Sequence, residues 1–465
     1  MSYQKAQRYL ESFINYEFSL GQLSSKDFSL SRIKKLLCLL GVPEAGMKVI
    51  HIAGSNGKGM VASLTASILK EAGYKVGLYT SPHINDLRER IRLLDKNAGA
   101  QLDGCIFGDA ITREDICIMV DKLHSAVSGL CLEEGEDRPT FFEVYTGLAL
   151  SYFYLKGVDF VVLETGLGGR LDATNAVSSM VAAITPISME HAGILGETLN
   201  EIAYEKAAII KDSQQAVVVC PQEPEAMKVI ISRCSKFGIK PLVVGRDMKY
   251  DVLSAGIDGT VFNLINAQGN KAYASVRLSV PGIHQVANAA SAVGIIEQVR
   301  QTGMVIDDEA VYNGILSLSW PCRFELISNK PCLILDGGHN KAAAEALADT
   351  VIAVLPGRRV TLVLGLSSDK DKFGIAGELN RVADMVIMTA SSHPRAADIK
   401  RKEAEAMFPG RAIFYTDNIA DALSLAYKKT TPEDVILVTG SFFVAAEARR
   451  EIYQIKNLSC TIQPG

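Results

Sequence analysis

The chain has 465 residues, of which 48% are hydrophobic, so it can bury substantial cores and its length predicts two or more domains. Its 48 basic and 52 acidic residues give a formal net charge of −4, which excludes recruitment of nucleic acid or a membrane surface by global positive charge. Nine scattered cysteines with no C-x-x-C pair predict reduced thiols. The amphipathic start carries Glu11 and Glu17, unlike a secretory peptide, and no apolar run approaches the roughly 20 residues of a membrane span. We therefore expect a cytoplasmic protein without nucleic-acid or membrane partners.

From Lys48 onward, short apolar runs alternate with helical patterns, which predicts a mostly parallel sheet covered by helices. The predicted strands of this part are 49–53, 76–80, 159–164, 181–187 and 216–220. The predicted helices are 57–71, 141–155, 199–211 and 223–237. Between 249 and 280 the helical period disappears, and alternating apolar residues with Gly and Asn predict a small antiparallel annex.

The second half of the chain repeats this alternation after a helix predicted over 284–301 and a boundary at SLSWPCRFELISNKP. Its predicted strands are 332–336, 360–366, 385–389, 413–416 and 435–439. The sequence therefore predicts an α/β protein with two doubly wound, Rossmann-like domains. The larger, residues 1–322, is expected to be a P-loop ATPase domain that includes the annex, and the smaller is residues 323–465.

The loop after the first predicted strand has the composition of a phosphate-binding turn. It reads Gly54, Ser55, Asn56, Gly57, Lys58, Gly59 and Met60, and a helical pattern follows. Glycines let backbone N–H groups converge on an anion, a helix N-terminus adds partial positive charge, and the lysine supplies a full charge. The alternative is a glycine-rich turn with an exposed lysine, because a strict phosphate loop has Ser or Thr where Gly59 stands.

Polar side chains follow three neighbouring predicted strands. Glu164 ends one strand, Ser81 follows another, and His191 follows a third. Each has an ordinary alternative, respectively a helix cap, a Ser-Pro turn and a hydrogen-bonded histidine. Because ligands gather at the carboxyl ends of strands in open α/β sheets, the three together predict a magnesium–nucleotide site beside the glycine loop.

Lys206 falls within the apolar stripe of a predicted helix. Thr198 and Glu201 have capping-box spacing, and Ile202, Lys206 and Ile210 then share one helical face. The pattern alone favours a snorkelling side chain with its ammonium in water. A desolvated lysine with a lowered pKa, open to covalent modification, is the alternative.

The motifs, taken in order, resemble those of folylpolyglutamate synthases and bifunctional dihydrofolate synthases of the Mur ligase superfamily. They are GSNGKG, TSPH with RERI, ETGLGGRLDATN, the EH pair before EKAAIIK, GIHQVANAASA, WPCRFE, DGGHN and TGS, from about residue 48 to about 450. The resemblance implies that Lys58 and the loop around Gly57 hold the ATP phosphates. It also implies that Ser81, Glu164, His191 and a carbamylated Lys206 bind two magnesium ions, with Lys58, His191 and Lys206 as the catalytic residues. Asn288 is implied as the adenine contact, Arg323, Asp336 and His339 as further nucleotide contacts, and Ser441 as a glutamate contact.

Several positions depart from the pattern of the resembled family. Gly59 is expected in its G-x-x-G-K-G loop, but Met60 stands where Ser is usual. Glu190 replaces the usual Asp, Cys322 the usual Gly, and Lys341 the usual Pro. The loss of a hydroxyl at position 60 removes one hydrogen-bond donor, worth about 0.5 to 3 kcal/mol.

The resemblance implies an ATP-dependent ligase that joins L-glutamate to a pteroate or folate through an acyl phosphate, in a protein expected to be a monomer. The first alternative is a related Mur-type ligase acting on another carboxylate, such as a cell-wall precursor. The second is an ATP-binding homologue whose ligase activity has decayed, for which Met60 is the best support. Decay is argued against by the retained site residues, which are Lys58, Glu164, His191, Lys206 and Asp336.

Overall fold

The computed structural model describes residues 1–16, 29–43, 46–99, 104–130, 138–190, 192–211 and 215–461. The chain divides into two compact units. Unit 1 comprises Met1–Asp251, Phe262–Val276 and Val286–Leu318, and unit 2 comprises Val252–Val261, Arg277–Gln285 and the chain from Ser319 onward.

Unit 1 contains a seven-stranded sheet in the order β3-β2-β4-β1-β5-β6-β7. Neighbouring strands are parallel, except that β3 is antiparallel to β2. The strands are β1 (Lys48–Ala53), β2 (Val76–Tyr79), β3 (Ile91–Leu94), β4 (Phe160–Glu164), β5 (Val181–Ile184), β6 (Ala216–Val219) and β7 (Leu242–Val243).

The helices of unit 1 cover both faces of this sheet. They are α1 (Tyr3–Glu11), α2 (Leu30–Leu39), α3 (Lys58–Glu71), α4 (Arg113–Ser128), α5 (Phe141–Leu155), α6 (Ala192–Leu195), α7 (Leu199–Ala207), α8 (Pro224–Lys236), α9 (Ile283–Gln301) and α10 (Asp308–Leu316), with 3₁₀ helices at Leu87–Arg90 and Ala173–Ala176. On one face, α2, α4 and α5 pack on β1, β2 and β4, and α7 and α8 pack on β5 and β6. Helix α3 also packs against β1, β2 and β4 and against α10.

A smaller sheet of three antiparallel strands corresponds to the predicted annex. Its order is β10-β9-β8, with β8 (Met248–Gly256), β9 (Gly259–Asn266) and β10 (Lys271–Leu278). The prediction of antiparallel structure between 249 and 280 is confirmed.

Unit 2 contains a six-stranded sheet in the order β11-β12-β16-β13-β14-β15, parallel except for β11. The strands are β11 (Glu325–Asn329), β12 (Cys332–Leu335), β13 (Val360–Leu364), β14 (Met385–Met388), β15 (Ala412–Tyr415) and β16 (Val435–Thr439). Helices α11 (Lys341–Val354), α12 (Lys372–Leu379) and α13 (Arg401–Met407) cover one face, and α14 (Ile419–Lys429) and α15 (Phe442–Thr461) cover the other. Alternate strand residues enter the two cores because successive side chains of a strand point to opposite faces.

Every predicted strand is present, although the strand predicted over 181–187 ends at Ile184 and the helix predicted over 199–211 ends at Ala207. The capping box of α7 is present, with Thr198 and Glu201 each accepting from the other's backbone N–H. The seven cysteines whose side chains are described are free thiols, as predicted. Within the described ranges, no helix is long and apolar enough to cross a membrane.

Candidate active site

The turn between β1 and α3 depends on two glycines. Gly54 has φ 150°, and a Cβ there would lie 1.9 Å from the Oγ1 of Thr185. Gly57 has φ 83°, and a Cβ there would lie 2.4 Å from the Oδ1 of Asn288. Both positions therefore require glycine, because a side chain would meet a neighbouring strand end or helix.

The loop is fastened to the segment that follows β5. The backbone N–H groups of Ser55 and Asn56 donate to the carbonyl oxygen of Pro186 at 2.9 and 3.1 Å. The Ser55 hydroxyl donates to the Ser188 carbonyl and accepts from the Ser188 N–H, both at 3.1 Å. These bonds fix the loop against the segment that follows β5.

Lys58 is the first residue of α3 and folds back over the loop. Its Nζ donates to the carbonyl oxygens of Gly54 at 3.1 Å and Ser55 at 3.3 Å. Helix α3 has 14 residues, and its N-cap residue, Gly57, provides no side-chain cap. Its first N–H groups therefore suit an anion, and Lys58 adds a positive charge beside them.

Ser81 and Glu164 meet at the carboxyl ends of neighbouring strands. The Ser81 N–H donates to Glu164 Oε2 at 2.9 Å. Glu164 is buried at the end of β4, where it is the register partner of Ile52 in β1, just before the glycine loop. The structure thus brings together two of the three side chains predicted at strand ends. The third, His191, lies outside the described residues.

The segment after Ser81 is organised by buried charges that the sequence analysis did not anticipate. Arg88, Glu89 and Arg90 are all buried. Glu89 accepts from the N–H groups of Ile84, Asn85 and Asp86 at 2.6 to 3.1 Å. Three backbone donors thus fold the chain around one carboxylate in the segment that follows Ser81. The RER sequence was the only signal, and charges in sequence usually indicate a solvated surface.

Lys206 is buried on α7, so the snorkelling interpretation was wrong. Its Nζ donates to the Gly54 carbonyl oxygen and to Glu190 Oε1, both at 2.8 Å. Burial lowers the pKa of Lys206, and the Glu190 carboxylate acts against that shift. These two acceptors replace the hydrogen bonds that the ammonium would otherwise make with water.

The loop after Glu164 braces the helix that carries Lys206. Asp172 accepts from the N–H groups of Gly166 and Leu167, both at 2.9 Å. A Cβ at Gly169 would lie 2.9 Å from the carbonyl oxygens of Glu205 and Lys206, so glycine lets the loop approach α7 closely. Burial raises the pKa of Asp172, which the hydrogen bonds oppose.

Asn288, the predicted adenine contact, is buried on α9 with its side chain against Gly57. The structure therefore places it beside the glycine loop. Whether it contacts a nucleotide base stays a prediction.

Three predicted nucleotide contacts lie together within unit 2. Asp336 follows β12 and accepts from the N–H groups of Phe324 at 2.9 Å and Gly338 at 2.8 Å. Burial raises the pKa of Asp336, and the Arg323 guanidinium opposes the shift. Arg323 lies over the ring of Phe442, 5.4 Å from its centroid. His339 Nδ1 lies 3.3 Å from the Gly337 carbonyl oxygen.

Ser441, the predicted glutamate contact, lies at the carboxyl edge of the unit 2 sheet. It is buried, its Oγ accepts from the Phe443 N–H at 3.2 Å, and it lies 3.5 Å from Ser367 Oγ. Two cations on the adjoining loops were not predicted from the sequence. Arg395 pairs with Asp369 at 2.6 Å, and Lys370 lies 3.4 Å from the same carboxylate oxygen.

Comparisons with known proteins bear on the whole chain. Residues 118–296 match the Mur ligase middle domain, and residues 322–442 match the Mur ligase glutamate ligase domain. The dihydrofolate synthase/folylpolyglutamate synthase of Bacillus subtilis is 32% identical, over 91% of this chain and 94% of that protein. The Escherichia coli protein of the same name is also 32% identical, over 95% of both chains.

A probable bifunctional folylpolyglutamate synthase/dihydropteroate synthase of Haloferax volcanii is 35% identical over 94% of this chain, but the match covers only 50% of that relative's length. Among solved structures, the Mycobacterium tuberculosis folylpolyglutamate synthase complexed with ADP superposes with a TM-score of 0.83 at 28% identity, covering 96% of this chain and 97% of that one. The Thermotoga maritima folylpolyglutamate synthase gives 0.78 at 31% identity and 96% of both chains.

The chain belongs to the dihydrofolate synthase/folylpolyglutamate synthase family of Mur ligases. This is a family of ATP-dependent ligases.

The departures from the family pattern have different structural settings. Met60 is 3% exposed in the first turn of α3, so its side chain is buried. Cys322 is buried and has φ 58°, the left-handed region that favours the usual glycine. Lys341 is the first, exposed residue of α11, where the proline usual in the family would also be tolerated. Glu190 pairs with Lys206, as described above.

Proposed function

We propose that this chain joins L-glutamate to the carboxylate of a pteroate or folate, using ATP and passing through an acyl phosphate. The observation that carries the proposal is the meeting of the glycine loop, Lys58 and the Ser81–Glu164 pair at one sheet edge, in a chain of this family. The alternative acceptor, a cell-wall precursor, has no support among the relatives described above.

A carboxylate does not condense with an amine unaided, because its oxygen is a poor leaving group. Transfer of the ATP γ-phosphoryl group to the acid releases ADP and converts that oxygen into phosphate. The α-amine of glutamate then attacks the carbonyl carbon, an amide bond forms, phosphate leaves and the amine releases its proton. Phosphoryl transfer is mainly a matter of positioning and charge stabilisation.

The residues of the glycine loop suit the first step. The N–H groups at the start of α3 and the Lys58 ammonium would hold the phosphates. For this, Lys58 must exchange its bonds to the Gly54 and Ser55 carbonyls for stronger, charge-assisted bonds to phosphate oxygens.

The donors at the strand ends fit magnesium, which prefers oxygen ligands and keeps few of them from the protein. The Ser81 hydroxyl and the Glu164 carboxylate would hold it, with His191 as the further predicted ligand. Magnesium would neutralise charge on the transferred phosphoryl group. Within the described residues, no three His, Cys, Asp or Glu side chains cluster as a metal site.

The Nζ of Lys206 lies 2.8 Å from two acceptors, the Gly54 carbonyl oxygen and Glu190 Oε1. Carbamylation of Lys206 and a second magnesium site both stay predictions.

In unit 2, Asp336, Arg323 and His339 remain predicted nucleotide contacts, and residues 323–465 remain the predicted glutamate-ligase domain. Glutamate carries two carboxylates, and a binding site for it is expected to contain positively charged side chains that pair with them. Lys370 and Arg395, ordered by Asp369 on the loops next to Ser441, are suited to hold one of the carboxylates. A monomeric, cytoplasmic enzyme remains our expectation.

The test is ADP release by the purified chain with magnesium, glutamate and a panel of acids: dihydropteroate, tetrahydrofolate and a cell-wall precursor acid. The proposal predicts ADP only when glutamate and a pteroate or folate are both present. If the cell-wall precursor acid were the only acid of the panel to give ADP release, the alternative ligase would be favoured. If the chain bound ATP but turned over none of the acids, a decayed homologue would be favoured.

A further inference from the structure

Gln222 lies in the short turn between β6 and α8 and binds the chain that leaves β5. Its side-chain oxygen accepts from the Ile187 N–H at 2.9 Å. Its side-chain nitrogen donates to the carbonyl oxygens of Thr185 at 2.9 Å and Ile184 at 3.3 Å. The orientation of the amide is fixed, because a backbone N–H can only donate and a backbone carbonyl can only accept. One side chain is therefore bonded at three points to the backbone of residues 184–187.

These three bonds account for the early end of β5, which was predicted to reach residue 187. The pairing of β5 with β6 stops at Ile184 and Val219. Beyond that point the Thr185 carbonyl and the Ile187 N–H bond the side chain of Gln222, where a strand would bond its neighbour. The chain therefore leaves the sheet at this position, and its next carbonyl group is available to another element.

That group is the carbonyl of Pro186, and the glycine loop binds it. It accepts from the N–H groups of Ser55 at 2.9 Å and Asn56 at 3.1 Å. The Ser55 hydroxyl makes two further bonds with the backbone of Ser188. The position of this segment therefore sets the position of the loop, and Gln222 holds the segment.

We infer that Gln222 is a positioning residue of the phosphate-binding loop, which it fixes through residues 184–187. The inference rests on the proposed function, in which the glycine loop holds the ATP phosphates. Gln222→Glu keeps the size of the side chain but removes its N–H groups, so a carboxylate would face two carbonyl oxygens. Gln222→Met keeps the length and removes every hydrogen bond. Both changes should displace the Pro186 carbonyl, and with it the backbone donors of the loop.

Gln215 offers a matched control, because it binds the backbone in the same way at the other end of β6. Its side-chain nitrogen donates to the Ile209 carbonyl at 3.3 Å and to the Ser179 hydroxyl, and its oxygen accepts from the Lys211 N–H at 3.1 Å. Gln215 is 4% exposed, so its replacement disturbs the fold at least as much as that of the partly buried Gln222. It precedes β6, at the edge of the parallel sheet away from the glycine loop.

The experiment is titration calorimetry of the full chain with Mg·ATP, together with ADP-release kinetics, for Gln222→Glu and Gln215→Glu. Circular dichroism sets a temperature at which both variants are folded. We expect Gln222→Glu to weaken Mg·ATP binding about tenfold or more, because the loop donors lose their alignment. KM for ATP should rise while KM for glutamate stays unchanged, and Gln215→Glu should bind Mg·ATP like the wild type. Wild-type affinity for Mg·ATP in folded Gln222→Glu overturns the inference, and so does an equal loss in Gln215→Glu.

Amide hydrogen exchange tests the same inference without nucleotide and with the uncharged variant. In Gln222→Met, the N–H groups of Ser55 and Asn56 should exchange faster than in the wild type, because their acceptor is displaced. In Gln215→Met, the exchange of these two groups should not change. Unchanged exchange of both groups in Gln222→Met contradicts the inference even where Gln222→Glu does not fold.

Both measurements are independent of amide formation. A chain in which Gln222→Glu loses Mg·ATP affinity, but which never forms an amide with any acid, would remove the proposed function and leave the inference. An active folate ligase whose Gln222 variants bind Mg·ATP normally would do the reverse.

Discussion

The Lys58 ammonium lies on carbonyl oxygens of its own loop, within reach of the uncapped start of α3. Replacing it by methionine removes a charge that acts on the phosphoryl group during transfer. We expect Lys58→Met to lower kcat/KM for ATP on the order of 10² to 10³, measured by ADP release. Lys70→Met, near the other end of the same helix, should stay near wild type.

Met60 bears on both stability and activity, because it is buried where the family has serine. Met60→Ser should lower the free energy of unfolding by about 2 to 5 kcal/mol through lost burial. It should leave kcat/KM for ATP equal or higher, since a hydroxyl becomes available in the first turn of α3. Urea unfolding and ADP release measure the two effects.

Met119→Ser, at another buried methionine on α4, is the control: it should lose comparable stability with no gain in ATP kinetics. A large fall in kcat/KM for Met60→Ser alone would show that the loop depends on methionine.

His51 predicts a pH dependence of stability. It is fully buried on β1 with Nε2 2.8 Å from Thr174 Oγ1, and burial lowers its pKa from 6.5 to about 3. Between those values the unfolded chain binds the proton and the folded chain does not, so stability falls as pH falls. From pH 7 to pH 5 the loss from this group should be about 2 kcal/mol.

Urea unfolding at the two pH values checks this. His51→Gln should lose less stability than wild type over that range, whatever its stability at pH 7. His124→Gln, on the exposed side of α4, should keep the wild-type pH dependence, and an unchanged slope in His51→Gln would refute the assignment.

At the scale of elements, the loop that follows Glu164 at the end of β4 packs closely against α7. Asp172 accepts hydrogen bonds from the backbone of this loop and so stabilises its conformation. Asp172→Ala leaves the partly buried N–H groups of Gly166 and Leu167 without their acceptor, so we expect a loss of about 1 to 3 kcal/mol in the free energy of unfolding. Asp308→Ala, with a side chain 65% exposed, should cost under about 1 kcal/mol in the same urea experiment. Equal losses in the two variants would contradict the bracing role.

The elements next to the site could be predicted because the sequence features that indicate them lie within each element. The apolar runs of β1 and β4 and the glycines between β1 and α3 depend only on burial and backbone conformation. Edge strands such as β3 and β11 were missed, since β3 carries Arg92, paired with Asp109, and β11 lies in the segment interpreted as a boundary.

The site could be predicted only in part for a related reason. Strand ends are visible in sequence, so Ser81 and Glu164 could be expected to converge. The acceptors of Lys206 come from Gly54 and Glu190, and helical periodicity carries no information about partners on other elements. The same holds for Lys370 and Arg395, whose proximity depends on the strand order of the second sheet.

At the scale of the whole molecule, the chain spans 94% and 95% of the length of its Bacillus subtilis and Escherichia coli relatives and 50% of the length of its Haloferax volcanii relative. The shared part contains both the Mur ligase middle domain and the glutamate ligase domain. ATP, an acid and an amino acid are therefore expected to meet on this one chain, and the acid that it prefers defines its biological role.

Mass spectrometry of the products tests the central claim most directly. The chain is incubated with ATP, magnesium and glutamate, and with either dihydropteroate or tetrahydrofolate. We predict a product heavier by one glutamyl residue from dihydropteroate, or a series of such additions on the folate, with ADP formed for each amide. ATP binding without any glutamyl product from either acid would contradict the account.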